Sequence, residues 1–321
     1  MRGKFHVRIK NNRNSYTFVL SRNLTVLRGD SGRGKTTLFD MIHDYNRFAK
    51  ESGVSLSCDK IIYALSGDNW EYEIRTHPNT IIVIDEDSQF VRSKDFAKIV
   101  RESDNYFLLI TRNYLPMLPV SVDEIYELEG THNKKFRKVY QQIDRIYDHP
   151  SARLLPFTPE IIITEDSKSG YQFFQKEAEK NGILCVSANG KTKIFEAVKR
   201  FPDRKIVVIA DGAAFGAEIE NLIEQQKLHP EMLALFLPES FEWVILKSGV
   251  VSGVESDEFD HPELYAESTL YMSWEQYFTK MLVDATRSTE YMKYTKEKLA
   301  DYYLLKKQTD AIKAVMKGIK L

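Results

Sequence analysis

The chain has 321 residues, of which 43% are hydrophobic and 28% are charged, and its 45 Lys and Arg residues nearly balance 46 Asp and Glu residues. A chain of this length commonly forms two domains, and the composition is that of an ordinary globular protein. The net charge of -1 excludes a uniformly basic nucleic-acid coat and an acidic disordered chain. Any contact with a polyanion therefore requires a local basic patch.

The cysteines and the apolar runs indicate in which cellular compartment the protein is expected. Cys58 and Cys185 stand alone inside apolar stretches, which excludes a disulfide framework and a Cys-rich zinc site and favours two buried side chains in a reducing compartment. The first residues lack the apolar core of a signal peptide, and no apolar run reaches the roughly 20 residues that span a bilayer. We expect a cytoplasmic protein without a membrane partner.

The first 140 residues alternate between strand and helix patterns. Residues 5–9 and 16–20 form a predicted hairpin across the Asn-rich residues 11–14, because Asn tolerates the positive φ of tight turns. Further strands are expected at 24–27, 61–65, 81–84 and 107–110, and helices at 35–49 and 96–101. This alternation predicts an α/β domain with a parallel sheet over residues 1–140.

The remaining chain is expected to form a linker, a second α/β domain and a helical end. Residues 141–158 contain Pro150 and Pro156 without clear periodicity, which is typical of a linker. Residues 159–250 form the predicted second domain, and apolar residues at helical spacing predict helices within 251–321. In the second domain we expect strands at 161–164, 183–187, 205–210 and 233–237, and helices at 171–180, 191–200 and 217–226.

A glycine-rich segment between the strand ending at Arg28 and the following helix has the spacing G-x-x-x-x-G-K-[ST]. Backbone N–H groups in such a loop can surround phosphate oxygens at a helix N-terminus, which attracts anions. Lys35 is expected to reach the β and γ phosphates, and the Thr36 hydroxyl to hold Mg²⁺. The alternative is a glycine-rich turn that binds nothing. The expected nucleotide-binding residues are Gly29, Asp30, Ser31, Gly32, Arg33, Gly34, Lys35, Thr36 and Thr37.

Two acidic residues follow the apolar strand at 81–84. Asp85 is expected to help hold Mg²⁺ and Glu86 to polarise the attacking water, so that Glu86 and Lys35 are candidate catalytic residues. A buried strand with an acidic exit turn is the alternative. The strand at 107–110 is followed by Thr111, Arg112 and Asn113, which are either sensors of the γ-phosphate or a plain polar strand end.

These motifs resemble the P-loop NTPases of the additional-strand class, and the hairpin with the Asp-Glu pair resembles an ABC-type ATPase head over residues 1–130. The sequence departs from that family in two places. It has no glutamine between Lys35 and Asp85, and Leu65-Ser66-Gly67-Asp68 matches half of an ABC signature without leading into the expected helix. The resemblance thus implies a reduced ATPase head that binds ATP and Mg²⁺.

The second domain places one acid after its first strand and another after its third. Ligands of open parallel sheets bind beyond the carboxyl ends of the strands, so Glu165 and Asp211 share a crevice if these strands are neighbours. Carboxylate oxygens suit Mg²⁺ or Mn²⁺. Both residues are therefore candidate metal ligands and catalytic residues.

This arrangement over residues 159–247 resembles the Toprim domain of topoisomerases, primases and overcoming-lysogenization-defect (OLD) nucleases. That family ends a later strand with D-x-D, whereas this chain has Ala213 in the second aspartate position. Asp166, Glu239 or Glu242 are possible substitutes. The alternative is a flavodoxin-like domain whose acids are ordinary loop residues.

Basic residues concentrate in two places. One is a short cluster at residues 134–138, and the other is the C-terminal segment, where Tyr291, Tyr294, Tyr302 and Tyr303 interleave with lysines and could stack on bases. The alternative is an amphipathic helix with its tyrosines in the core. The lysines of this segment are Lys293, Lys296, Lys298, Lys306, Lys307, Lys313, Lys317 and Lys320.

An ATPase head followed by a Toprim-like domain resembles the OLD-like proteins, several of which belong to bacterial antiviral defence or mobile-element systems. The first hypothesis is an ATPase that gates a module directed at DNA or RNA. The second is an ATP-driven switch or scaffold with an inactive Toprim-like domain, acting as a homo-oligomer or on a partner protein. A small-molecule kinase is a third, which the acidic pair Asp85-Glu86 disfavours.

Overall fold

The computed structural model describes residues 1–29, 32–86, 88–112, 114–132, 139–148 and 156–321. The chain forms two compact units, one of residues 1–146 and 263–272 and the other of residues 147–262 and 273–321. Each unit contains one sheet, and no described strand belongs to both. The protein is thus a mixed α/β chain.

The sheet of the first unit has nine described strands in the order β4-β1-β2-β9-β8-β3-β7-β6-β5. The strands from β8 to β5 run parallel, while β1, β2 and β4 pair antiparallel at the other side. The strands are β1 (Phe5–Lys10), β2 (Asn14–Leu20), β3 (Leu24–Arg28), β4 (Ser55–Ser57), β5 (Ile62–Leu65), β6 (Ile81–Ile84), β7 (Tyr106–Ile110), β8 (Ile125–His132) and β9 (Val139–Arg145).

Burial patterns explain this division of the sheet. β1 alternates buried and exposed residues, as expected of a strand with one solvent-exposed face. In contrast, every residue of β3, β6 and β7 is buried. Helix α1 (Lys35–Phe48) packs Leu38 and Ile42 into the same apolar cluster as β1, β3 and β6. The hairpin and the central parallel strands therefore follow the sequence prediction.

Two local predictions need correction. A helix, α2 (Trp70–Thr76), does follow residues 65–68, where the sequence was expected to lack one. Strand β9 extends to Arg145 and so occupies the first residues of the predicted linker, because it pairs with both β2 and β8. The third helix of this unit, α3 (Lys94–Glu102), is capped by Ser93, whose hydroxyl accepts a 3.0 Å hydrogen bond from the Phe96 N–H.

The sheet of the second unit is entirely parallel, with strand order β11-β10-β12-β13. The strands alternate with helices along the chain, as predicted. These elements are β10 (Ile161–Thr164), α4 (Ser169–Asn181), β11 (Leu184–Ser187), α5 (Ile194–Lys199), β12 (Ile206–Ile209), α6 (Ile219–Leu228), β13 (Leu233–Phe236) and α7 (Phe241–Lys247).

The C-terminal region is helical in part. Its helices are α8 (Ser256–Asp260), α9 (Pro262–Tyr265), α10 (Trp274–Thr286) and α11 (Lys306–Val315), with 3₁₀ turns at Glu290–Met292 and Asp301–Leu304. The lysine-rich segment is therefore not one helix, because residues 293–300 are irregular. Tyr294 and Tyr303 are buried, whereas Tyr291 is 67% exposed. The basic cluster at 134–138 lies outside the described residues.

Two further observations concern the whole chain. No helix within the described ranges has the length and apolarity to cross a bilayer. Cys58 and Cys185 are both free thiols and half-buried.

Tyr147, at the start of the second unit, forms hydrogen bonds to the backbone at strand β13 of that unit. The buried hydroxyl donates a 3.1 Å hydrogen bond to the Leu235 carbonyl and accepts one of 3.1 Å from the Leu237 N–H. We expect Tyr147→Phe to lower the free energy of unfolding by about 1–3 kcal/mol, because two buried backbone groups lose their partner. Chemical denaturation measures the change, with the exposed Tyr291→Phe as the control. Equal stability of both variants would contradict this role.

Candidate functional sites

The first candidate site is the glycine-rich loop, residues 29–34, between β3 and α1. Gly29, Gly32 and Gly34 have φ values of 126°, 79° and 98°, which residues other than glycine rarely adopt. Gly34 also caps α1, and its carbonyl accepts a 3.0 Å hydrogen bond from the Leu38 N–H. The spacing of the glycines thus produces a sharp turn into a helix. The predicted residues Asp30 and Ser31 lie outside the described residues.

Lys35 lies beneath this loop. The residue is 4% exposed, and its Nζ donates a 2.5 Å hydrogen bond to the Gly29 carbonyl. On the other side, the Tyr16 hydroxyl donates a 2.8 Å bond to the Gly34 carbonyl. The loop is therefore held at both ends, while Arg33 and Thr36 are exposed and Thr37 is half-buried.

The acidic residues that follow β6 lie at the same edge of the sheet as the glycine-rich loop. In the sheet, β7 lies between β3 and β6, so the ends of all three parallel strands meet at one edge. Glu86 Oε2 is 3.7 Å from Lys35 Nζ and 3.8 Å from Arg112 Nε. The structure thus joins three residues that are far apart in sequence. Arg112 was expected only as one of several polar residues after β7, and Asn113 lies outside the described residues.

This edge combines an anion-attracting helix end with oxygen ligands. The N-terminus of α1 carries partial positive charge, and the Lys35 ammonium adds a full charge. The Thr36 hydroxyl and the Asp85 carboxylate are oxygen donors of the kind that Mg²⁺ uses together with substrate phosphates. These residues are therefore of the types that could bind a phosphate group together with Mg²⁺.

The second candidate site lies at the carboxyl ends of β10 and β12, which are adjacent and parallel. Glu165 follows β10 and Asp211 follows β12, and the Asp211 N–H donates a 3.4 Å hydrogen bond to Glu165 Oε2. The prediction that these two acids share one crevice is confirmed. The Gly212 backbone packs so closely here that a Cβ would lie 2.4 Å from the Leu237 carbonyl oxygen.

The structure adds two carboxylates and one ammonium to this pair. Glu242, in the first turn of α7, accepts a 2.8 Å hydrogen bond from the Tyr294 hydroxyl. The Lys296 ammonium contacts Glu275 and lies 3.7 Å from Asp211 Oδ2. We define the carboxylate cluster as Glu165, Asp211, Glu242 and Glu275. From the sequence, Glu242 was expected only as a substitute acid, and Lys296 only as part of a basic segment. Nothing in the sequence pointed to Glu275.

Burial and mutual repulsion shift the pKa values of this cluster. Burial and the Glu275 charge raise the pKa of Glu165 to about 7, against an opposing effect of Lys191. Burial, Glu275 and Glu242 raise the pKa of Asp211 well above its usual range. Burial lowers the pKa of Lys296, but the carboxylates of Asp211, Glu242 and Glu275 outweigh that effect and raise it. The surrounding carboxylates therefore favour the charged form of Lys296.

A small pocket of about 40 Å³ opens beside the cluster. Three of the four cluster residues line it, together with Lys296 and the aromatic side chains of Tyr171, Phe174 and Phe241. Asp166, which also lines it, uses its carboxylate to accept a 3.0 Å hydrogen bond from the Lys168 N–H. The pocket thus has an apolar wall and an acidic wall.

With Lys296 in place, the acids of this cluster do not fit a divalent metal. Over the part of the chain that the structure describes, no group of three or more His, Cys, Asp or Glu side chains is arranged to hold a metal ion. Ala213, where the Toprim pattern has its second aspartate, is buried without a donor oxygen on its side chain. Lys296 instead brings positive charge against Asp211.

Comparison with known proteins yields no family. No protein-family model matches the sequence, and no curated protein matches it. The interpretation of both sites therefore rests on the residues and their geometry.

The raised pKa of Glu165 predicts a dependence of stability on pH. In the unfolded chain this carboxyl loses its proton near its ordinary value of 4.5, but in the folded chain only near 7, so folded protein loses stability as pH rises through this range. We expect Glu165→Gln to reduce that loss by roughly 1–3 kcal/mol, because one pKa unit corresponds to about 1.4 kcal/mol.

Chemical denaturation at pH 5 and pH 7.5 measures this effect. Glu196→Gln, which removes a carboxylate that is 67% exposed, is the control and should retain the wild-type slope. An unchanged slope in Glu165→Gln would contradict the assignment.

Proposed function

We propose that the first unit binds and hydrolyses ATP with Mg²⁺ at the glycine-rich loop. The observation that carries this proposal is the meeting of Lys35, Glu86 and the loop at the edge formed by β3 and β6. β7 lies between these strands and brings Arg112 to the same edge, which supports the proposal.

Each residue has a role that follows from its position. The loop and the N-terminus of α1 bind the phosphates, and Lys35 neutralises the β and γ phosphates. Thr36 and Asp85 would hold Mg²⁺, which would supply further charge neutralisation at the phosphates. Glu86 orients and polarises the attacking water. Glu86 pairs with Lys35 and Arg112, so a bound γ-phosphate would compete for both cations.

The second unit is the proposed output of this ATPase, as a binding module rather than a metal-dependent nuclease. The exposed Tyr291 lines an open groove together with Lys293 and Lys298, and its ring packs edge-on against Tyr302 at 5.5 Å. Two acids, Glu290 and Asp301, also line this groove. An exposed ring flanked by ammonium groups suits a single-stranded nucleic acid, whose bases stack while its phosphates pair with lysines. DNA and RNA share both properties.

The resulting protein is an ATP-driven switch directed at nucleic acid. By resemblance to the OLD-like proteins, we assign it to bacterial defence or mobile-element biology. The switch would act through a second copy of the chain or through a partner protein. The incomplete ABC signature gives no support to a head-to-head ABC dimer.

Substitutions at the loop test nucleotide binding and hydrolysis separately. Lys35→Ala should weaken ATP binding at least tenfold, because a charge-assisted hydrogen bond contributes about 1.5–3 kcal/mol and 1.4 kcal/mol corresponds to tenfold. Glu86→Gln should retain binding while turnover falls by about 10²–10⁴-fold, as expected of a lost general base. Calorimetry with ATP and a phosphate-release assay measure these values.

Lys50→Ala, at an exposed lysine just beyond the end of α1, is the matched control and should behave as wild type. Wild-type protein that neither binds nor hydrolyses ATP would refute the proposal. ATP turnover that survives Lys35→Ala would mean that another site is responsible.

A second experiment tests the groove of the second unit. Tyr291→Ala should weaken binding of single-stranded DNA or RNA by about 5- to 100-fold, because base stacking on an aromatic ring contributes about 1–3 kcal/mol. Fluorescence anisotropy at low salt measures the affinity. Tyr72→Ala, which removes a ring of the first unit that is 70% exposed, is the control. Equal affinities of the two variants would exclude stacking at Tyr291.

A further inference from the structure

The carboxylate cluster of the second unit contains an excess of acids around Lys296. Asp211 and Glu275 are about three-quarters buried, with side-chain exposures of 24% and 26%, and Lys296 itself is 23% exposed. Glu242 is 1% exposed. Such buried carboxylates require a cation or a proton, because an uncompensated charge is strongly unfavourable away from water.

The backbone around Lys296 holds its side chain in this place. The Lys296 carbonyl accepts a 3.0 Å hydrogen bond from the Ser169 N–H at the start of α4. One turn further along α4, Gln172 donates a 2.8 Å bond to the Glu297 carbonyl and accepts a 2.9 Å bond from the Leu299 N–H. Three hydrogen bonds therefore fasten this irregular segment to α4, so the lysine is not a mobile surface side chain.

Tyr294 fixes the segment from the other side. Its ring is 1% exposed, and its hydroxyl lies 2.6 Å from Ser169 Oγ and donates to Glu242 Oε1. The tyrosine thereby links the segment that carries Lys296 to one acid of the cluster. The fold therefore determines where the segment that carries the Lys296 ammonium lies relative to the acids.

A second observation shows that the cluster still has acceptor capacity. Within the described residues, Glu242 Oε2 is buried and has no hydrogen-bond partner, and Glu242 lines the pocket. A buried carboxylate oxygen without a donor is unfavourable. The cluster can therefore accept more positive charge, provided that the charge already supplied by Lys296 is removed.

We propose that Lys296 is the resident cation of the carboxylate cluster and takes the place that a divalent metal would otherwise occupy. Its ammonium contacts Glu275 and faces Asp211, where it both neutralises the acids and repels an incoming divalent ion. We expect removal of this one charge to let the acids rearrange around a divalent cation. This inference does not depend on ATP binding in the first unit.

Manganese titration of the full chain without nucleotide tests the proposal, with calorimetry and the electron paramagnetic resonance of Mn²⁺ as readouts. Wild type and Lys296→Arg should show no Mn²⁺ binding at the cluster, since both carry the cation. Lys296→Met should bind one Mn²⁺ ion. Lys296→Met combined with Asp211→Asn should lose that binding, which assigns the ion to the cluster.

Controls and thermal unfolding complete the design. Lys227→Met, at an exposed lysine of α6, should behave as wild type. Mn²⁺ should raise the unfolding temperature of Lys296→Met and leave that of wild type unchanged. A wild-type protein that binds Mn²⁺ and loses it in Asp211→Asn would overturn the proposal, as would a folded Lys296→Met variant without any gain. If Lys296→Met does not fold, Lys296→Gln, which also removes the charge, takes its place in the titration.

Discussion

The pairing of buried parallel strands is the constraint on which both candidate sites depend. Parallel strands end at a common edge, so residues distant in sequence become neighbours there. In the first unit this edge joins Lys35 to Glu86, and in the second it joins Glu165 to Asp211. Apolar strands such as β6 and β12 are buried throughout and cannot accommodate these charges, which therefore collect immediately beyond the last buried residue.

Both edges pair a lysine with carboxylates, but the balance of charge differs. Lys35 and Arg112 both face the Glu86 carboxylate, and the N-terminus of α1 adds partial positive charge, so that edge can accept an anion. At the other edge, Lys296 contacts Glu275 and faces Asp211, and burial and neighbouring acids raise the pKa values of Glu165 and Asp211. The same fold principle thus produces two edges with different balances of charge.

Much of the fold could be predicted from the sequence because its signals are local. The turn-rich residues 11–14 and the alternation of β1 identify the hairpin, and uninterrupted apolar runs identify β6, β10 and β12. The errors occurred where distant pairing decides. β9 is a strand because β2 and β8 hydrogen-bond to it, and residues 293–300 leave the helix because α4 and Glu242 bind them in an irregular conformation.

The sequence by itself determined the glycine spacing before Lys35 and the acids that follow the buried strands, because each depends on a few adjacent residues. Tertiary structure alone decided which charges meet. Lys296 is 85 residues from Asp211 in the chain and belongs to a segment that reads as a basic surface, yet the contacts of α4 and Tyr294 bring its ammonium to the acids. The physical reason is that a charge takes its role from its nearest neighbours in space, and packing between distant segments selects those neighbours.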